Sequence, residues 1–153
     1  MGFDLHGVKP KTTGEAPVRI DFDKSSSDEI DTYFEDVNNF ENINPGVYFR
    51  ANVWSWRPLW NYVSGVCSSI LSEEDIEGGR WNDGYIIDED KCESMLLLLN
   101  AELSNKLTHR YRDAYMDENR NSSYPRNSSY PFSIEKVEDF TKFLKECGGF
   151  QIC

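Results

Sequence analysis

The sequence predicts an α+β fold: a single domain, residues 1–153, of three or four helices packed with a few short strands. Apolar residues recur at helical spacing in several separate stretches and alternate along a few short ones. Nowhere do they follow the strand–helix–strand rhythm of a doubly wound sheet. A chain of this length can also bury a core without disulfide or metal staples.

The elements follow in chain order. Phe3, Leu5 and Val8 in "MGFDLHGVKP" suit a short first strand, and residues 11 to 19 read as a connection. Ser26, with Glu29 three residues on, forms a capping-box pattern. Ile30, Phe34 and Val37 then give a helix one apolar stripe, which Asn44-Pro45-Gly46 ends in a turn. From Val47 to Trp56 the chain alternates like a strand. Val47, Phe49, Ala51 and Val53 would form its core face, and Tyr48, Arg50, Asn52, Trp54 and Trp56 its other face.

Pro58 is expected to open the next helix, a position where its missing N–H costs nothing. Leu59, Tyr62, Val63, Val66 and Ile70 give that helix its stripe, with Trp60 and Cys67 on the flank. "SEEDIEGGRWNDG" reads as a loop because Gly78-Gly79 and Asn82-Asp83-Gly84 punctuate it. Asp88 can cap a long helix through Cys92, Met95, Leu96, Leu99, Leu103 and Leu107 to about Tyr115, with Lys106, His109, Arg110 and Arg112 at the negative end of its dipole. The tandem "NSSYPRNSSYP" marks a mobile polar loop over 117–131. Ser133 caps a last helix carrying Ile134, Val137, Phe140 and Leu144, Gly148-Gly149 closes it, and "FQIC" suits a final strand.

The formal net charge of −11 disfavours direct binding to nucleic acid or to an anionic membrane. That charge is concentrated. Residues 20–45 hold eight carboxylates (Asp21, Asp23, Asp28, Glu29, Asp31, Glu35, Asp36 and Glu41) against Lys24 alone. No stretch is long and apolar enough for a membrane helix, and no apolar signal core follows Met1. A cytoplasmic protein with free thiols at Cys67, Cys92, Cys147 and Cys153 is expected.

Several chemistries lack their spacing. There is no phosphate-binding glycine loop between a strand and a helix, and the cysteines show no zinc pairing. Asp21 and Asp23 beside "DKSSSDEID" lack the glycine and closing glutamate of a calcium loop. Asp4 and His6 share a strand face and fit either an acid–base pair or a hydrogen-bonded strand end. Hydrolysis using Asp4, His6 and Asp83 would need them in one cleft. No cofactor and no catalytic residue is assigned.

Aromatic planes beside arginines are the more informative constellation. Tyr48, Arg50, Asn52, Trp54, Trp56 and Arg57, joined by Arg80, Trp81, Asn82 and Asp83, offer faces for a planar group and forks for a phosphate or carboxylate. A structural role competes at each of them, since arginine stacked on tryptophan also ties a loop to a helix.

At "MGFDLHG", "YFRANVWSWRPLW", "WNDG" and "FLKECGGFQIC" the chain resembles a family of small bacteriophage and bacterial proteins. The resemblance spans both ends and the middle and implies a lineage without an activity. Some members of that family carry a cysteine-paired, zinc-finger-like insert before the last helix. "DENRNSSYPRNSSYP" has no cysteine, so no metal is expected there. Against shorter members, the acidic segment 20–45 reads as an insertion.

The leading functional expectation is a non-enzymatic, phage-associated accessory protein that holds a small planar or anionic ligand, such as a nucleotide. An acidic inhibitor or DNA mimic that occupies a host nucleic-acid-binding or defence protein through residues 20–45 is the alternative. A virion or assembly component is a third reading.

Overall fold

Six helices and one four-stranded antiparallel sheet make up the computed structural model, which describes residues 2–121 and 131–153. The chain runs β1 (Gly2–Gly7), α1 (Ser27–Ile43), β2 (Tyr48–Asn52), α2 (Val53–Val66) and α3 (Glu73–Gly78). It continues through β3 (Tyr85–Ile87), α4 (Glu89–Ser104), α5 (Leu107–Asn121), α6 (Ile134–Glu146) and β4 (Phe150–Ile152). The strand order is β2-β1-β4-β3, which places the first strand between β2 and the last.

Period-two alternation sets the two faces of this sheet. Phe3, Leu5, Phe49, Ala51, Ile87, Phe150 and Ile152 turn inward and are buried. α2, α4 and α6 supply the other half of the core with Leu59, Val63, Met95, Leu99, Val137, Phe140 and Phe143. In register on the other face, Arg50 lies opposite Asp4, Tyr48 opposite His6, and His6 opposite Gln151. The entry to β4 is a turn in which Gly148 and Gly149 both have positive φ, at 61° and 87°. A side chain at Gly148 would also strike the backbone of Lys9.

The α+β class is as expected, but among the described residues the helices number six rather than three or four. One is added where a loop was expected: Ser72 and Asp75 form a reciprocal capping box that starts α3. Another arises because the long helix expected from Asp88 breaks at Asn105. Lys106 there adopts φ 59°, which turns the chain into α5. The break brings Thr108 beneath Tyr62, whose hydroxyl lies 2.8 Å from the threonine hydroxyl, and tilts Tyr111 against the Tyr62 ring, which Phe132 meets edge-on. His109 and Arg110 therefore sit in the first turn of a helix, at the positive end of its dipole and not a negative one, while Lys106 lies at the junction of α4 and α5 and Arg112 in the second turn of α5.

The Ser26 capping box forms as the sequence indicated. The stripe of α1 shifts, however, to Ile30, Tyr33, Val37 and Phe40, and leaves Phe34 exposed. Of the polar segment 117–131, residues 117–121 continue α5, and 122–130 lie outside the described residues.

Candidate functional site

The stretch from Tyr48 to Trp60 is built by a change of period. Strand alternation holds from Tyr48 to Asn52, with Phe49 and Ala51 buried and Arg50 and Asn52 exposed. Asn52 then caps a helix: its side-chain oxygen accepts the Ser55 N–H at 2.9 Å. From there the relevant spacing is helical. Trp56, Leu59, Trp60 and Val63, at i, i+3, i+4 and i+7, all face the core.

The single strand expected from Val47 to Trp56 is thus corrected, and so is the helix start at Pro58. Pro58 lies inside α2, and the helix end that attracts anions is at Val53. Trp60 and Cys67, expected on the flank, are buried.

Trp56 consequently belongs to the interior and not to an open aromatic face. It is 1% exposed and stacks between Phe3 and Trp60, with centroids 5.4 and 5.3 Å away. A buried indole N–H needs an acceptor. Trp56 donates to the carbonyl of Gly79 at 2.7 Å, and Trp60 to that of Ile76 at 2.9 Å. These bonds join α2 to α3. They leave no room at Gly79, where a Cβ would lie 2.0 Å from the Trp60 ring.

Above this pair of indoles is a recess of 230 Å³ lined by Trp56, Arg57, Trp60, Asn61, Gly79, Arg80 and Trp81. Four of the ten residues singled out from the sequence meet here: Trp56, Arg57, Arg80 and Trp81. Trp81 is 58% exposed. The two carboxylate oxygens of Glu77 orient the rim, one accepting the Trp81 indole N–H at 3.0 Å and the other the Arg80 guanidinium at 3.1 Å. Arg57 has no carboxylate partner among the described residues, which leaves one uncommitted cation on the rim.

Asp75 holds the recess wall from behind. Buried within α3, it accepts the Ser72 N–H at 2.8 Å, the Tyr85 hydroxyl at 2.9 Å and the Lys91 ammonium at 2.8 Å. Burial acts to raise the pKa of this carboxyl. The bonds from Lys91, Ser72 and Tyr85 outweigh it and keep the pKa below its ordinary value. Tyr85, half-buried and bonded to a carboxylate, is pushed up to about 12. This clip was missed in the sequence because Asp75, Tyr85 and Lys91 come from three elements. Its one local signal, the Ser72-to-Asp75 capping spacing, is passed over in a reading of the stretch as a loop.

Tyr48 and Arg50 lie elsewhere, on the open face of the sheet. The Tyr48 hydroxyl donates to Asp4, and Arg50 Nε lies 3.6 Å from the same carboxylate. His6 packs on the Tyr48 ring at 5.2 Å. Burial, with the Asp4 bond behind it, pushes the Tyr48 phenol up to about 12, so it remains a hydrogen-bond donor at neutral pH. Asp4 and His6 share this face as expected, but both engage Tyr48.

The remaining predicted residues divide between these places. Asn52 is spent as a cap, and Trp54 is half exposed on the first turn of α2. Asn82 ties its loop to the carbonyl of Gly2 at 3.2 Å. Asp83 is exposed beside it, without a cationic partner among the described residues. No protein family, curated protein or solved structure matches the chain.

Proposed function

We propose that the protein is a non-enzymatic binding module. In this reading the recess between α2 and the α3–β3 connection holds a small ligand with one anionic group and one planar face. A nucleotide is the simplest such ligand. The observation that carries the reading is the pairing of Arg57, which has no carboxylate partner among the described residues, with the exposed indole of Trp81 on one rim. Guanidinium and indole together suit a phosphate or carboxylate next to an aromatic ring. At 230 Å³ the recess falls below the ~300–1,000 Å³ of sites that engulf drug-sized ligands, so it would grip one group and leave the rest in solvent. Trp56 and Trp60 serve as its floor, since their N–H groups are already taken.

A thermal-shift screen of nucleotides tests this reading. A ligand at 100 times its dissociation constant should add about 2.7 kcal/mol of stability. Arg57→Ala and Trp81→Ala should each abolish that gain while leaving the melting temperature of the free protein almost unchanged, because both side chains are exposed. If no nucleotide shifts the folded wild type, the ligand reading fails.

A further inference from the structure

α1 poses a physical problem that the recess does not touch. It is a 17-residue helix in which no residue is buried. None of its apolar side chains belongs to the core or packs against it. Helices in proteins gain most of their stability from packing an amphipathic face. The capping box at Ser26 and a ring cluster of Phe22, Tyr33 and Phe34 support it, yet Phe22 and Phe34 are themselves exposed.

Between α1 and the preceding connection runs a groove of 410 Å³. Pro17, Val18, Ile20 and Tyr33 give it apolar walls, and Asp28 and Asp36 stand on its helix side. Those two carboxylates are two helical turns apart, about 12 Å along the axis. Neither has a cationic partner among the described residues. Val18, on the groove wall, is 86% exposed. An acidic shell that served only for solubility would need none of these apolar groups.

We infer that this groove is a docking surface for a basic, apolar-studded segment of a partner protein. Arginine or lysine heads of that segment would meet Asp28 and Asp36 while their stems and neighbouring apolar side chains cover Val18, Ile20 and Tyr33. Charge complementarity selects the occupant. Eight carboxylates against Lys24 in residues 20–45 repel nucleic acid and anionic membranes, and the exposed apolar groups favour a partner that is more than a polycation. Docking would bury the helix face that the fold leaves wet.

Fluorescence anisotropy with three labelled peptides tests the inference: an amphipathic arginine–leucine peptide, polylysine of equal charge, and a charge-reversed glutamate–leucine peptide. The arginine–leucine peptide should bind most tightly, and added salt should weaken it. Asp28→Lys with Asp36→Lys should cut its affinity by about tenfold or more. Val18→Ser should weaken the amphipathic peptide but not polylysine. All three positions are solvent-facing, and helical circular dichroism verifies that the variants fold. Arg57→Ala should leave peptide binding intact, so this surface and the recess stand or fall separately. Polylysine binding as tightly as the amphipathic peptide, no binding of either, or indifference to the double charge reversal would each overturn the inference.

Discussion

Replacing Gly79 with alanine sets two physical effects against each other, and the structure says which wins. Gly79 closes α3 with φ −70° and ψ −10°, a conformation open to any residue. On backbone grounds alone, alanine should stabilise the protein by about 0.4–1 kcal/mol. The added Cβ, however, would lie 2.0 Å from Trp60 Cε2, 2.2 Å from Cζ2 and 2.4 Å from Nε1, and no real Cβ approaches so closely. Trp60 cannot yield cheaply, because its ring is stacked on Trp56 and its N–H is bonded to the Ile76 carbonyl. Overpacking of a core costs about 1–3 kcal/mol, and the displaced indole bond adds about 1 kcal/mol. The net loss should be about 1–3.5 kcal/mol, or about 2–14 °C in melting temperature for a domain of this size. Urea denaturation followed by tryptophan fluorescence measures it. A Gly79→Ala variant as stable as the wild type, or more so, would refute the packing of α2 on α3 described above.

Asp75→Asn removes the charge that Lys91 faces and should cost about 2–3 kcal/mol at neutral pH. Because the folded-state pKa of Asp75 is depressed, its contribution is present above the ordinary carboxylate range and is lost as pH falls through the folded value. The variant should therefore lose less stability than the wild type between pH 5 and about pH 2, as acid titrations at fixed urea would show. Equal acid limbs would mean that Asp75 is not the clip. Among the thiols, Cys67, Cys92 and Cys147 are buried and Cys153 is exposed, and burial pushes the Cys67 thiol up to about 12. A thiol reagent should modify one cysteine rapidly in the native protein and all four in denaturant; rapid modification of more than one in the native protein would contradict the packing. Asn52→Ala should cost about 1 kcal/mol through the lost cap, and an unchanged melting temperature would place the start of α2 elsewhere.

Much of the fold was legible because its signals are local. The Ser26, Asp88 and Ser133 caps, the alternation of β1 and the glycine pair before β4 depend on neighbours within a few residues. The misread stretch, Val47 to Trp56, satisfies both periods at once. The cap at Asn52 decides between them, and an asparagine amid aromatics is easily taken for part of a binding face. The break at Lys106 left no local mark, since Leu103 and Leu107 keep the helical period across it. It exists for the contacts of Thr108 and Tyr111 with Tyr62. β3 is three residues long, and its place is set by pairing with β4. The candidate site was legible as a list of residue types but not as a place. Arg57, Arg80 and Trp81 converge with Trp56, whereas Tyr48 and Arg50 lie on the open sheet face with Asp4.

The most direct test is a titration of ¹⁵N-labelled protein with nucleoside monophosphates, read at the indole resonances of its four tryptophans. The Trp81 signal, from the exposed rim, should move saturably and return to its free position in Arg57→Ala. The Trp56 and Trp60 signals, locked to Gly79 and Ile76, should exchange slowly with D₂O with or without ligand. A Trp81 signal that never moves, or one that moves equally in Arg57→Ala, would contradict a ligand site built from that guanidinium and that ring.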